Sequence, residues 1–140
     1  MQENKFIGEW ILQPEKSKYD VGNAPLNATY TFRAIEGDKL KVTIDWKNFD
    51  ESEQSVSYVI NPDGCMYEYD GGEVADMVKA EFRSQNILET SVFKNGRLMA
   101  FASREIIDKN EMKVVQTSYT PDGGKFDKVQ FYRRNILADL

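Results

Sequence analysis

No histidine occurs among the 140 residues, and cysteine occurs once, at position 65. The first absence removes the commonest general base, the commonest neutral metal ligand and the usual proximal haem ligand. The second rules out an internal disulfide, which fits a reducing compartment. Cys65, beside the Pro62-Asp63-Gly64 turn, reads as a small packed residue rather than a nucleophile. There is no Gly-x-Ser-x-Gly elbow and no glycine-rich phosphate cradle. The acidic clusters Asp50-Glu51-Ser52-Glu53 and Asp70-Gly71-Gly72-Glu73 lack calcium-loop spacing, so they read as solvated turn charges. No metal site and no cofactor are therefore expected, and no residue can be assigned a catalytic role. No window approaches the roughly 18 to 20 apolar residues of a membrane span. A net charge of −5 leaves no basic footprint for nucleic acid or anionic lipid. Sustained helical periodicity is missing as well.

What the chain does contain is a rhythm of turn signals: Glu36-Gly37-Asp38, Asn61-Pro62-Asp63-Gly64, Asp70-Gly71-Gly72, Asn95-Gly96, Asp108-Lys109-Asn110 and Pro121-Asp122-Gly123-Gly124. Strand-length segments lie between them, the pattern of an antiparallel meander. About ten strands are expected. The clearest runs from Lys39 to Lys47, where Leu40, Val42, Ile44 and Trp46 alternate with Lys41, Thr43 and Asp45. A meander of this length is expected to close on itself as a single all-β, up-and-down barrel over residues 1–140, because closure removes exposed strand edges. Segment 14–26 reads as a loop with at most a turn or two of helix, lying across one end of the barrel.

Phe6-Ile7-Gly8-Glu9-Trp10 on the first strand, with Tyr132-Arg133-Arg134 on the last, resembles the calycin superfamily of lipocalins and fatty-acid-binding proteins. The resemblance implies that the Trp10 indole plugs the closed end of the barrel with Arg133 or Arg134 stacked on it, a structural role. Residues 10–19, Ala75-Asp76-Met77-Val78-Lys79, Lys94-Asn95-Gly96 and Ser103-Arg104-Glu105 extend the likeness to small bacterial lipocalin-like domains. Ten strands favour the fatty-acid-binding-protein architecture over the eight-stranded barrel. Two departures stand out. Segment 14–26 is too short for that family's pair of lid helices, and Gln130 with Tyr132 stands where the family carries Arg-x-Tyr to hold a carboxylate. A neutral amide has no charge and no guanidinium fork, so a neutral, largely apolar ligand is expected.

Alternation assigns the cavity walls. Tyr30, Phe32, Val42, Ile44, Trp46, Val56, Tyr58 and Ile60 form the expected inward set of the first half. Tyr132, Gln130, Gln116 and Ser118 form the expected polar end of the pocket, opposite a wall with Trp46 and Tyr58; Tyr67 completes the candidate set. The reading is carriage of a small apolar molecule by a monomer or weak dimer. If the chain is complete the protein is expected in the cytoplasm, and in the periplasm or outside the cell if a signal peptide has been removed. Two alternatives stay open. One is a histidine-independent isomerase or cyclase, with Tyr58, Tyr67 or Tyr132 as donor, Asp45 or Glu81 as base and Arg83 or Arg104 as anion partner. The other is a filled barrel acting as an interaction module. Arg104 itself is expected to be structural, paired with an acid on a neighbouring strand.

Overall fold

A computed structural model of the chain describes residues 4–19, 25–69 and 75–136. Its strands are β1 (Gly8–Leu12), β2 (Lys18–Tyr19), β3 (Asn27–Ala34), β4 (Leu40–Lys47), β5 (Glu53–Ile60), β6 (Asp63–Glu68), β7 (Met77–Ser84), β8 (Ile87–Lys94), β9 (Arg97–Asp108), β10 (Glu111–Tyr119) and β11 (Lys125–Arg134). One 3-10 turn, Pro14–Lys16, follows β1. Ten strands pair antiparallel in the order β5-β4-β3-β1-β11-β10-β9-β8-β7-β6, and the two-residue β2 adds to β11. The all-β, up-and-down barrel read from the sequence is the fold observed. Pairing of β1 with both β3 and β11 joins the first strand to the last and curls the sheet.

The expectation of complete closure needs correction. β5 and β6 are consecutive in the chain yet form the two ends of the sheet, and they do not pair with each other. The Asn61-Pro62-Asp63-Gly64 turn joins them. Pro62 has no N–H to donate, and the Asp63 amide bonds back to the Asn61 carbonyl at 2.8 Å. The Tyr67 hydroxyl donates to Asp63 and accepts from Asn61 Nδ2, so side chains satisfy this corner where strand pairing does not. Cys65, on the same strand, is exposed rather than packed. The Asp70-Gly71-Gly72 turn and the acidic cluster ending at Glu73 lie outside the described residues.

One end of the barrel is solid. Trp10, Phe6, Phe32, Leu40, Val42, Leu88 and Met112 are buried there in one cluster. β1 starts later than the sequence suggests, because residues 4–7 turn back: Asn4 Oδ1 accepts from the Phe6 amide at 2.9 Å. Gly8 follows at a φ of 129°, a region that side-chain-bearing residues rarely adopt. This bend lets Trp10 Nε1 donate to the Phe6 carbonyl at 3.0 Å. Of the two candidate cations, Arg134 is the one on the indole, 4.2 Å from the ring centre; Arg133 is exposed. At the other hairpins the turn chemistry is as read. Asn95 and Gly96 both take positive φ, as a two-residue turn between β8 and β9 requires. Among the described residues no helix is long and apolar enough to cross a membrane.

Candidate functional site

Along each inward strand face, packing gives way to open space toward the opposite end. β3 goes from Phe32 to Tyr30 and Ala28, β4 from Val42 to Ile44 and Trp46, and β10 from Met112 to Val114 and Gln116. The side chains past that change line a cavity of about 430 Å³, within the usual range for small-molecule sites. A barrel with its interior filled is therefore not what this chain makes. Tyr19 and Pro25, on either side of the undescribed residues 20–24, also line the cavity, and Tyr19 is placed there by the pairing of β2 with β11.

Five of the seven sequence-derived candidates, Tyr132, Gln130, Gln116, Trp46 and Tyr58, line this one cavity. Register explains why: Met112, Val114 and Gln116 lie opposite Tyr132, Gln130 and Lys128 across the β10–β11 hairpin, all on one face. Ser118 continues that face opposite Phe126 but is exposed and not among the lining residues. Tyr67, on β6, is also outside it; it borders a separate hollow across the β5–β6 gap with Val59, Tyr69 and Ala80.

Sequence reasoning misassigned the residue at the centre of the cavity wall. Arg104 is 4% exposed and has no acid beside it. Its Nε donates to the Tyr30 hydroxyl at 2.6 Å, Nη1 to Thr90 Oγ1 at 3.1 Å and Nη2 to the Tyr58 hydroxyl at 3.4 Å. No carboxylate pairs with it among the described residues. Burial opposes its charge, but the oxygens of Tyr30 and Tyr58 outweigh that, so its pKa lies above the usual arginine value and it stays a cation. A signal for it was available. On β9, Ala100, Ala102, Arg104 and Ile106 share a face, and a cation between alanine and isoleucine on an inward face is a buried cation.

Three further polar groups of the wall, Tyr19, Gln130 and Tyr132, form a neutral chain. Gln130 Nε2 donates to the Tyr19 hydroxyl at 2.6 Å, and the Tyr132 hydroxyl donates to Gln130 Oε1 at 3.4 Å. Tyr132 also meets the Tyr30 ring edge-on, 5.6 Å between centres. The isomerase constellation is not assembled. Asp45 lies beside Lys47 and Glu53 in a hollow on the other face of β4, Glu81 is next to Lys79, and Arg83 pairs with Glu89 at 2.9 Å. None of the three candidates, Asp45, Glu81 and Arg83, is among the cavity's lining residues.

Burial raises the phenol pKa values of Tyr30, Tyr132 and Tyr19 above the ordinary 10.0, even though Arg104 pulls on the first two and the Gln130 bond on the third. All three are neutral donors at physiological pH. A pKa raised by folding contributes stability that is complete below the unfolded value and is lost as pH rises through the folded one. Unfolding is therefore expected to set in above about pH 10, with phenolate absorbance of the buried tyrosines appearing together with loss of near-ultraviolet circular dichroism. Ionisation of all seven tyrosines in a native protein would contradict their burial.

No family model and no curated protein matches the chain. Solved structures do. The fluorescent protein UnaG superposes with a TM-score of 0.62 at 20% identity, covering 93% of this chain and 97% of that one. A fatty acid binding protein from Schistosoma mansoni, in complex with arachidonic acid, gives 0.60 at 17%, covering 93% and 96%. The zebrafish ileal bile acid-binding protein, complexed with cholic acid, gives 0.54 at 12%, covering 93% and 98%. At these identities the likeness concerns the path of the backbone. The chain has the calycin fold in its ten-stranded, fatty-acid-binding-protein form.

Proposed function

We propose that this protein binds and carries a small, largely apolar molecule in its barrel, and that it holds this molecule by a carboxylate or similar anionic head. One observation carries the reading. Among the described residues the cavity wall includes two cations, Arg104 and Lys128, and not one Asp or Glu, in a chain with 23 acidic and 18 basic residues. A buried guanidinium without a counter-ion is costly to keep, and an anionic ligand supplies what it lacks. Arg104 has five N–H donors and spends three within the protein. Tyr30 and Tyr58 fix its plane, Tyr132, Gln130 and Gln116 offer neutral hydrogen bonds, and Trp46 with Ile44 supplies apolar wall. The neutral ligand inferred from Gln130 alone is set aside in this reading, because β9 offers the Arg104 guanidinium that Gln130 does not supply on β11. Arachidonic acid and cholic acid in two similarly folded proteins are consistent with an acid as cargo.

Competition of oleate and methyl oleate against an environment-sensitive dye tests this. Oleate is expected to displace the dye at a concentration at least tenfold lower, a difference of about 1.4 kcal/mol. High salt should leave most of that preference intact, because a buried pair is screened far less than an exposed one. Equal displacement by acid and ester would refute the anionic head. Displacement by neither would refute the carrier.

A further inference from the structure

A second hollow, about 170 Å³, adjoins the first. The two share Tyr58, Ala102, Arg104 and Gln116. The guanidinium therefore stands at the partition between two spaces and is not the end wall of either. The spaces differ in character. Past the shared residues, the smaller one is bounded mainly by aliphatic groups, among them Ile60, Val78, Val92 and Ala100, whereas the larger one carries Lys128, Gln130 and Tyr132. β9 creates the smaller space: two positions and four positions before Arg104 on the same face are alanines, whose methyl groups leave room that a larger side chain would fill.

A cation on an end wall meets a carboxylate at the tip of a chain. A cation at a partition meets one that has apolar substituents on both sides. Resting on the anionic-head reading above, we propose that the protein prefers acids whose carboxylate lies within the molecule, flanked by a short aliphatic arm for the smaller space and a longer or bulkier body for the larger. Ala100 and Ala102 then set specificity by leaving the short arm its volume.

Two isomeric twelve-carbon acids, dodecanoate and racemic 2-butyloctanoate, isolate the placement of the carboxylate, since they have the same atoms and the same charge. Displacement of a bound dye is the measurement. The branched acid is expected to bind at least tenfold more tightly, since each methylene buried in the small space is worth about fourfold in affinity. Ala100→Phe, which fills that space, is expected to reverse the preference; Ala100→Leu serves the same purpose if the larger residue prevents folding. Dodecanoate binding as well as or better than its branched isomer in the unaltered protein overturns the two-armed ligand, as does a preference that survives in a folded Ala100 variant. In those cases the carrier reading stands. Displacement by neither acid overturns that reading and the inference with it.

Discussion

Trp10→Ala should lower stability by about 3 to 5 kcal/mol, and with it the melting temperature by roughly 10 to 20 °C for a domain of this size. The indole is fully buried, so truncation leaves a void among Phe6, Leu12 and Phe32, which relax only in part. Two further losses add to the void. The Phe6 carbonyl loses the N–H that satisfies it. Arg134 loses the ring on which its guanidinium rests while it donates to the carbonyls of Ile7, Lys5 and Lys109. That fork ties the start of β1 to the β9–β10 turn and the end of β11, so the effect should spread to the whole closed end. Trp10→Phe keeps most of the volume and loses the N–H, and a cost of about 1 kcal/mol is expected. Urea melts of the two variants measure both terms; a Trp10→Ala protein with an unchanged midpoint would remove the plug from the account of this fold.

The closed end was readable because each of its signals is local. Gly8-Glu9-Trp10 specifies backbone that only certain residues adopt, and Leu40 to Trp46 alternate without exception. The shared face of Gln116, Gln130 and Tyr132 was also readable, since a hairpin fixes which residues meet across it. What escaped depends on distant partners. Tyr19 joins the cavity only because β2 pairs with Lys128 and Val129 of β11, which nothing in a polar loop reveals. The gap between β5 and β6 escaped because Asn61-Pro62-Asp63-Gly64 has the composition of a hairpin turn. Arg104 was expected to pair with an acid on a neighbouring strand, and among the described residues no acid meets it. Its neighbours Ser103 and Glu105 point to the other face of the strand, and the groups it meets come from β3, β5 and β8.

Replacing Arg104 separates a structural cation from a functional one, because the two roles predict opposite changes in stability. A cation holding the fold together through a buried ion pair would cost roughly 3 to 5 kcal/mol to remove, since its acid would be left buried and alone. Among the described residues Arg104 has no such acid. Its partners are three neutral hydroxyls, and those of Tyr30 and Tyr58 border the cavity and can turn toward water in it. Arg104→Met keeps an unbranched side chain of similar reach and relieves the desolvation of the guanidinium. Its urea midpoint is therefore expected to stay level or rise. Binding should move the other way: truncating one side of a buried charge pair costs on the order of 2 to 5 kcal/mol, so oleate affinity should fall at least about thirtyfold. Methyl oleate, held by the apolar walls, should bind much as before. A variant that melts far earlier yet still prefers oleate to its ester would make Arg104 a structural residue after all and leave Lys128 as the cation that meets the head.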